Sequence, residues 1–203
     1  MNDLYAAVVH DVKNQLAELS LRLGARSDTQ QEMVIAMNAA RRLTDMLLLH
    51  RQDNNLLSVN SDSVNAVDFL SILAAEYRAL FPKIDIEVAA DSAPVFSFFD
   101  NALVNLALGN ALHNACRFAQ AKVKLSAYEK DRMLVLEVSD DGDGYPQSLL
   151  TAGGMNPAAV SGQGTGLGIY LARKIAELHR LEDRNGYVEL SNAGGAVFRM
   201  LLP

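Results

Sequence analysis

The spacing of apolar side chains changes once along this chain, and that change limits the folds open to it. From residue 4 to residue 47 the apolar residues recur every three or four positions, the period of an amphipathic helix. They form two stripes: Val8, Val12, Leu16, Leu19 and Leu23, then Met33, Met37, Ala40, Leu43 and Leu47. From residue 84 onward, apolar and polar residues alternate in short runs, the period of a strand with one covered face. The two patterns in succession predict an α+β protein with two parts.

The first part is predicted to be an antiparallel helical hairpin over residues 1–57. Gly24 stands where a helix would end, and Ser27 to Thr29 are followed three positions later by Gln or Glu, which is typical of a helix start. One hairpin cannot cover both faces of its own apolar stripe. We therefore expect a homodimer in which two hairpins form a four-helix bundle. The polar segment 53–64 is interpreted as a linker.

The second part, residues 65–203, is predicted to be an antiparallel or mixed sheet with helices on one face. Helices are expected at 66–80, where Asn65 and Asp68 supply cap residues, at 100–119 and at 167–180. The runs 122–128 and 132–139 predict an antiparallel pair. The expected strands carry the alternating runs Ile84-Ile86-Val88, Val123-Leu125-Ala127, Leu134-Leu136-Val138, Val188-Leu190 and Phe198-Met200-Leu202.

The composition of the chain argues against several functional classes of protein. The 24 acidic and 18 basic residues give a net charge of −6, which argues against a nucleic-acid partner. Cys116 is the one cysteine, so no internal disulfide framework exists. No stretch has the hydropathy of a membrane segment, and the acids Asp3 and Asp11 argue against a signal peptide. We therefore expect a cytoplasmic protein.

His10 is the first candidate for chemistry. It lies two residues from Val8 and from Val12, roughly 200° around the helix, and so faces away from the stripe. Asp11 is adjacent, and Asn14 shares its face. An imidazole held in one tautomer by a carboxylate can attack an electrophile through its other nitrogen. A plain surface histidine is the commoner explanation of this pattern alone.

Two asparagines form the second candidate site. Asn110 and Asn114 are four residues apart on an apolar helix, so their amide oxygens converge. Neutral oxygens on one face can hold a Mg²⁺ ion that takes its other ligands from phosphates and water. Arg117, about one turn further, could contact a phosphate. The alternative is two surface or capping asparagines.

Two glycine-containing segments complete the pattern. Asp140 ends a predicted strand and could accept a hydrogen bond from the amino group of a base, while Gly142 and Gly144 allow a close approach; a simple turn is the alternative. The second segment precedes a helix, where several backbone N–H groups can bind phosphate. It comprises Gly164, Thr165, Gly166, Leu167 and Gly168. Its spacing fits neither a dinucleotide motif nor a P-loop, and a flexible linker is the alternative.

Taken in this order along the whole chain, these motifs resemble the sensor histidine kinases of two-component signalling. The segment His10 to Asn14 is similar to the H-box, Asn110 to Phe118 to the N-box, Asp140 to Gly144 to the G1 box, and Gly164 to Gly168 to the G2 box. The segment from Ala193 to Pro203 is similar to the family's closing strand. The chain departs from the pattern at Gln15, where Pro is usual, and in the lid segment 145–163, which has no Phe.

The resemblance implies a helical hairpin followed by a GHKL-type ATP-binding domain, an α/β sandwich with a mixed sheet. His10 would be the phosphoacceptor, Asp11 would orient it and take its proton, and Asn14 would act in dephosphorylating a partner. In the second domain Asn110 and Asn114 would bind Mg²⁺, Arg117 a phosphate of ATP, and Asp140 the adenine amino group.

The implied partner is the receiver domain of a separate response regulator, whose aspartate would accept the phosphoryl group. Only nine residues precede His10, so the resemblance implies that the stimulus reaches this chain through a longer sensor or a separate sensor protein. Three alternatives stay open. They are a histidine phosphotransferase that does not bind ATP, a regulator phosphatase using Asn14, and a chaperone- or gyrase-type ATPase outside signalling.

Overall fold

The computed structural model describes residues 58–151 and 167–203, with seven helical residues nearer the N-terminus: Leu16, Leu19, Ala36, Ala39, Ala40, Leu43 and Thr44. The chain divides into two compact units, Met1–Ser58 and Val59–Pro203. In the first unit the Thr44 hydroxyl donates to the Ala40 carbonyl at 3.0 Å. The helical hairpin predicted over residues 1–57 lies largely outside the described residues and stays a prediction.

The described part of the second unit contains four helices and nine strands. The helices are α1 (Ala66–Leu80), α2 (Asn101–Phe118), α3 (Gln147–Thr151) and α4 (Leu167–Leu178). The strands are β1 (Asp62–Val64), β2 (Asp85–Ser92), β3 (Ser97–Phe99), β4 (Lys122–Lys130), β5 (Met133–Asp140), β6 (Arg180–Leu181), β7 (Arg184–Asn185), β8 (Tyr187–Asn192) and β9 (Ala196–Leu202). Among the described residues, no helix combines the length and apolar character needed to cross a membrane.

Five strands form one mixed sheet in the order β2-β4-β5-β9-β8. β2 pairs with β4 in parallel, and the other three pairs are antiparallel. The five alternating runs lie in these five strands, apart from Ile84, which precedes β2, so the predicted mixed sheet is confirmed. The predicted pairing of 122–128 with 132–139 is confirmed as well, since Ala127 of β4 lies opposite Leu136 of β5.

The core lies between one face of this sheet and the helices. α1 packs on β2 and β4, α2 on β4 and β5, and α4 on β8 and β9. The apolar members of the alternating runs point into this layer, where each large side chain contributes roughly 2 kcal/mol through burial. The fully buried side chains include Leu70, Leu108, Leu112, Leu125, Leu136, Leu171, Ile175, Phe198 and Met200.

The helix ends follow local chemistry. α1 begins where the sequence predicts, because the Asn65 side chain accepts from the amides of Val67 at 2.9 Å and Asp68 at 3.1 Å. Asp100 caps α2 in the same way through the Leu103 amide at 3.0 Å. α4 ends two residues before the predicted position 180, because β6 begins there.

A buried histidine ties α4 to α2. His179 Nε2 accepts a hydrogen bond from the Asp100 amide at 3.0 Å, so the ring proton is on Nδ1, which donates to the Ile175 carbonyl at 2.8 Å. Asp100 also receives the Asn60 amide at 2.9 Å through its second carboxylate oxygen. These bonds fix the end of α4 against the start of α2, and both helices carry candidate site residues.

Candidate functional site

α2 lies beside both glycine-containing segments. A Cβ atom added to Gly168, in the first turn of α4, would lie 3.4 Å from the Cβ atom of Asn110. At the other end of the candidate site, the Phe118 carbonyl is so close to Gly142 that a Cβ atom there would overlap it. Three regions that the sequence identified separately, around Asn110, Asp140 and Gly168, are therefore assembled around one helix.

Asp140 ends β5 with one carboxylate oxygen occupied. Its Oδ1 accepts from the amides of Gly142 at 2.9 Å and Ala196 at 3.1 Å. In the described part of the chain its Oδ2 has no hydrogen-bond partner, and the side chain is half-buried. A carboxylate with one oxygen fixed by the backbone presents the other as an oriented acceptor. That is the geometry needed to bind an amino group.

Close packing explains the glycines of this region. Gly142 cannot carry a side chain because of the Phe118 carbonyl, and Gly195 cannot because of the Asp140 carbonyl. Gly144 has a φ of +81°, and a Cβ atom there would lie 2.8 Å from Asn192 Cγ. The sequence assigned Gly142 and Gly144 to the approach of a ligand. The structure adds that the protein itself already needs both glycines.

Asp141 has a structural role that the sequence analysis missed. Its carboxylate accepts from the amides of Gln120 at 2.8 Å, Ala121 at 3.1 Å and Lys122 at 3.0 Å, and so holds the turn between α2 and β4. These backbone hydrogen bonds, led by that from Ala121, lower the pKa of the Asp141 carboxyl. The two adjacent acids thus differ. Asp140 keeps an oxygen available, and Asp141 uses both.

One side of α2 carries the two asparagines that the sequence predicted as metal ligands. Asn110 is buried, Asn114 is half-buried one turn later, and Arg117 is exposed with its guanidinium carbon 5.4 Å from the ring centre of Phe118. Within residues 58–151 and 167–203 no three His, Cys, Asp or Glu side chains cluster as a metal site. A divalent cation here would depend on the two amide oxygens and on phosphate oxygens, a donor set that suits Mg²⁺.

The match to known proteins decides the family. Residues 99–203, more than half of the chain, match the model described as the histidine kinase-, DNA gyrase B- and HSP90-like ATPases. The chain belongs to this ATPase family. The match begins at the end of β3 and covers α2, Asp140 and the start of α4, so every described candidate residue lies within the family's domain.

Proteins similar to this chain include sensor kinases. The sensor protein kinase PmrB of Pseudomonas aeruginosa is 32% identical over 68% of this chain and 30% of its own length. The sensor histidine kinase GtrS of the same organism is 29% identical over 98% of this chain and 41% of its own. The chain therefore spans less than half of the length of either relative. The solved structure of the histidine kinase AdeS of Acinetobacter baumannii shares the fold with a TM-score of 0.66 and 18% identity, covering 87% of this chain and 84% of that one.

A thiol and a phenol in this ATPase domain have pKa values that Asp140 affects. Burial, and then the Asp140 carboxylate, raise the pKa of the Cys116 thiol to about 12, so the thiol is unreactive at neutral pH. The same two causes raise the pKa of the half-buried Tyr145 phenol. The sequence analysis did not single out Tyr145. Its position immediately after Gly144, in a motif already identified, was the available signal.

The remaining candidate residues cannot be placed. His10, Asp11, Asn14, Gly164, Thr165 and Gly166 lie outside the described residues, and of Leu167 only the backbone is described, at the first position of α4. The structure therefore brings Asn110, Asn114, Arg117, Asp140 and the glycines at 142, 144 and 168 into one region. It gives no geometry between that region and His10.

Proposed function

We propose that the protein is an ATP-dependent histidine kinase that phosphorylates its own His10 and passes the phosphoryl group to a response regulator. The observation that carries the proposal is the carboxylate of Asp140, with one oxygen held by Gly142 and Ala196 and the other available beside the N-box helix. The family match and the sensor-kinase relatives support the same assignment.

ATP is the proposed substrate, and Asp140 is the residue that selects adenine. Its available Oδ2 would accept a hydrogen bond from the exocyclic amino group of the base. Guanine carries a carbonyl oxygen at the corresponding position, which would face the carboxylate and leave both acceptors unpaired. The phosphates would extend toward the start of α4, where the backbone amides of Gly164 to Gly168 can bind them.

Asn110 and Asn114 are the proposed Mg²⁺ ligands. The bound ion would supply neutralisation of phosphate charge, and Arg117 would add a second cation from the exposed side of α2. The two asparagine side chains, four residues apart on one helix, offer oxygen ligands to the ion without adding negative charge next to a triphosphate. That choice of residue fits a site that binds a polyanion.

The proposed acceptor is His10 in a helical hairpin over residues 1–57, followed by the ATP-binding domain over residues 65–203. A ring nitrogen of His10 would attack the γ-phosphorus, the bond to the β,γ-bridging oxygen would break, and ADP would leave. Asp11 would orient the ring and take its proton. The similarity to GtrS, which extends over 98% of this chain, supports a kinase-like N-terminal part. Two hairpins would pair as a homodimer, as inferred from the uncovered apolar stripe.

The proposed partner is the receiver domain of a response regulator, since the relatives are sensor kinases. Transfer would move the phosphoryl group from His10 to an aspartate of that domain, and Asn14 would assist in removing it later. The stimulus would reach the chain through a sensor region or a separate sensor protein. Because the reaction consumes ATP, we place it in the cytoplasm. A phosphotransferase without ATP has less support, because it would not need the available oxygen of Asp140.

The test is incubation of the full chain with Mg²⁺ and ATP labelled at the γ-phosphate. We expect label that is lost in acid and kept in base, as a phosphorylated histidine requires. His10→Ala should abolish it. His50→Ala is the matched control, since it removes another imidazole from the same part of the chain and should leave labelling unchanged.

Two results would contradict the proposal. One is equal labelling of the wild type and His10→Ala, which would move the acceptor elsewhere. The other is no detectable ATP binding by calorimetric titration, which would favour the phosphotransferase alternative.

A further inference from the structure

We propose that Asn192 is a positioning residue for the nucleotide: its side-chain amide holds the loop of residues 140–146 in the conformation that presents Asp140 to the base. The inference rests on the proposed function, because it concerns how the same site achieves its affinity for adenine. Asn192 is the last residue of β8, on a strand that is not adjacent to β5 in the sheet.

The side-chain amide of Asn192 engages both backbone groups of one residue in that loop. The Tyr145 amide donates to Asn192 Oδ1 at 2.8 Å, and Asn192 Nδ2 donates to the Tyr145 carbonyl at 3.0 Å. This is the hydrogen-bond pattern that a neighbouring strand would supply. β5 ends at Asp140, so the loop has left the sheet before Tyr145 and receives from Asn192 what the sheet no longer provides.

The packing at Gly144 shows how closely the two segments meet. A Cβ atom on Gly144 would lie 2.8 Å from Asn192 Cγ and 2.9 Å from each of the two polar atoms of its amide. The φ of +81° at Gly144 turns the chain so that Tyr145 reaches the amide. The loop is therefore held at three points: Asp140 by Ala196, Asp141 by the α2–β4 turn, and Tyr145 by Asn192.

Without the hydrogen bonds between Asn192 and Tyr145, a longer part of the loop would have to become ordered when the base binds, at a cost in conformational entropy. A loop that is already ordered avoids this entropy cost when the nucleotide binds. Asn192 therefore raises the affinity without touching the ligand. The effect should appear on the base side of the nucleotide, where Asp140 acts. The phosphate side depends on α2 and the start of α4, which Asn192 does not contact through any hydrogen bond in the described part of the chain.

The experiment is calorimetric titration of the full chain with ADP and, separately, with GDP. For Asn192→Ala we expect ADP to bind roughly fivefold more weakly, the loss corresponding to one or two solvent-exposed hydrogen bonds. GDP, which gains nothing from Asp140, should change little, so the preference for ADP falls. Asn185→Ala is the matched control because Asn185 is exposed on β7, which pairs with β6 and not with the five-stranded sheet that carries Asp140 and Asn192; it should keep both affinities.

A second variant tests the hydrogen bond from Asn192 Nδ2 by itself, and the comparison of ADP with GDP separates positioning from a general loss of structure. Asn192→Asp keeps the acceptor for the Tyr145 amide but places a carboxylate against the Tyr145 carbonyl, so it should bind ADP at least as weakly as Asn192→Ala. Unchanged ADP affinity in both variants would overturn the inference. A parallel loss of ADP and GDP binding would overturn it too, since that indicates a structural role only. If the wild-type protein bound no ADP, the proposed function would fail first, and the inference with it.

Discussion

At the scale of single residues, Asp140 at the end of β5 and Asp141 directly after it show how one motif can combine a proposed binding role with a structural role. Asp140 has one oxygen available, whereas Asp141 gives its oxygens to three backbone amides about 20 residues earlier in the chain. The binding role predicted for Asp140 came from its place after a strand and before glycines, and it stays a prediction. The sequence could not predict the structural role of Asp141, because the turn that Asp141 caps is distant in sequence.

Asp140→Asn is expected to reduce ATP affinity without unfolding the domain. The new amide can keep its oxygen toward the amides of Gly142 and Ala196, which leaves its nitrogen, a donor, facing the amino group of adenine. Replacing a charged acceptor by a donor should weaken binding roughly 10- to 100-fold. Calorimetric titration with ATP checks the affinity, and a thermal melt within a few degrees of the wild type checks the fold. Wild-type affinity would show that the base binds elsewhere.

Asp141→Asn is expected to lower stability in a pH-dependent way. Hydrogen bonds from the backbone lower the pKa of the Asp141 carboxyl in the folded protein. The stabilisation is therefore complete above the unfolded-state pKa, near 4, and is lost as the pH falls through the lower folded-state value. Urea titrations should show the variant less stable than the wild type at pH 7, with the difference shrinking below about pH 4. A difference that stayed constant down to pH 2 would contradict this account.

At the scale of secondary-structure elements, α2 organises the site, and its bounds were predictable. The sequence predicted a helix at 100–119, within one residue of the observed ends at Asn101 and Phe118, although it did not identify Asp100 as the cap. The parallel pairing of β2 with β4 was not predictable in detail, because α2 and β3 separate these strands in the chain. The three-residue strands β1 and β3 were missed because they are too short to show a period.

Gly142→Ala tests the contact between the end of α2 and the loop that follows β5. A methyl group at this position would overlap the Phe118 carbonyl, which belongs to backbone and cannot rotate away. We expect a loss of about 3 kcal/mol in unfolding free energy, the upper range for overpacking. Gly194→Ala is the control, since its φ of +74° is strained for alanine but nothing lies within 4 Å of the added group. That variant should lose only about 1 kcal/mol.

Thermal or urea unfolding of the two glycine variants gives the comparison. Equal losses would mean that the backbone relaxes around the added methyl group, so that the Phe118 carbonyl does not limit what residue 142 can be, since Gly142 itself has no left-handed φ. Loss of ATP binding in Gly142→Ala, with binding kept in Gly194→Ala, would further connect the contact with α2 to the placement of Asp140.

At the scale of the whole molecule, the change in apolar spacing predicted a chain of two parts, and the described second part has the predicted mixed sheet with helices on one face. The family assignment rests on this second part, residues 99–203. The proposed phosphorylation of His10 would join the two parts functionally. It is the central claim of the proposed function, and the positions of Asp140 and His10 in different parts of the chain make the claim directly testable.

The most direct measurement is the mass of the intact chain and of its peptides after brief incubation with Mg²⁺ and ATP, under conditions that keep phosphohistidine intact. We predict one added phosphoryl group on the peptide that contains His10 in the wild type. At an ATP concentration near the wild-type dissociation constant, Asp140→Asn should carry roughly 5- to 50-fold less of it after the same brief incubation, because a 10- to 100-fold weaker affinity leaves few sites occupied. A phosphoryl group on a peptide without His10, or no added mass although ATP binds, would contradict the account.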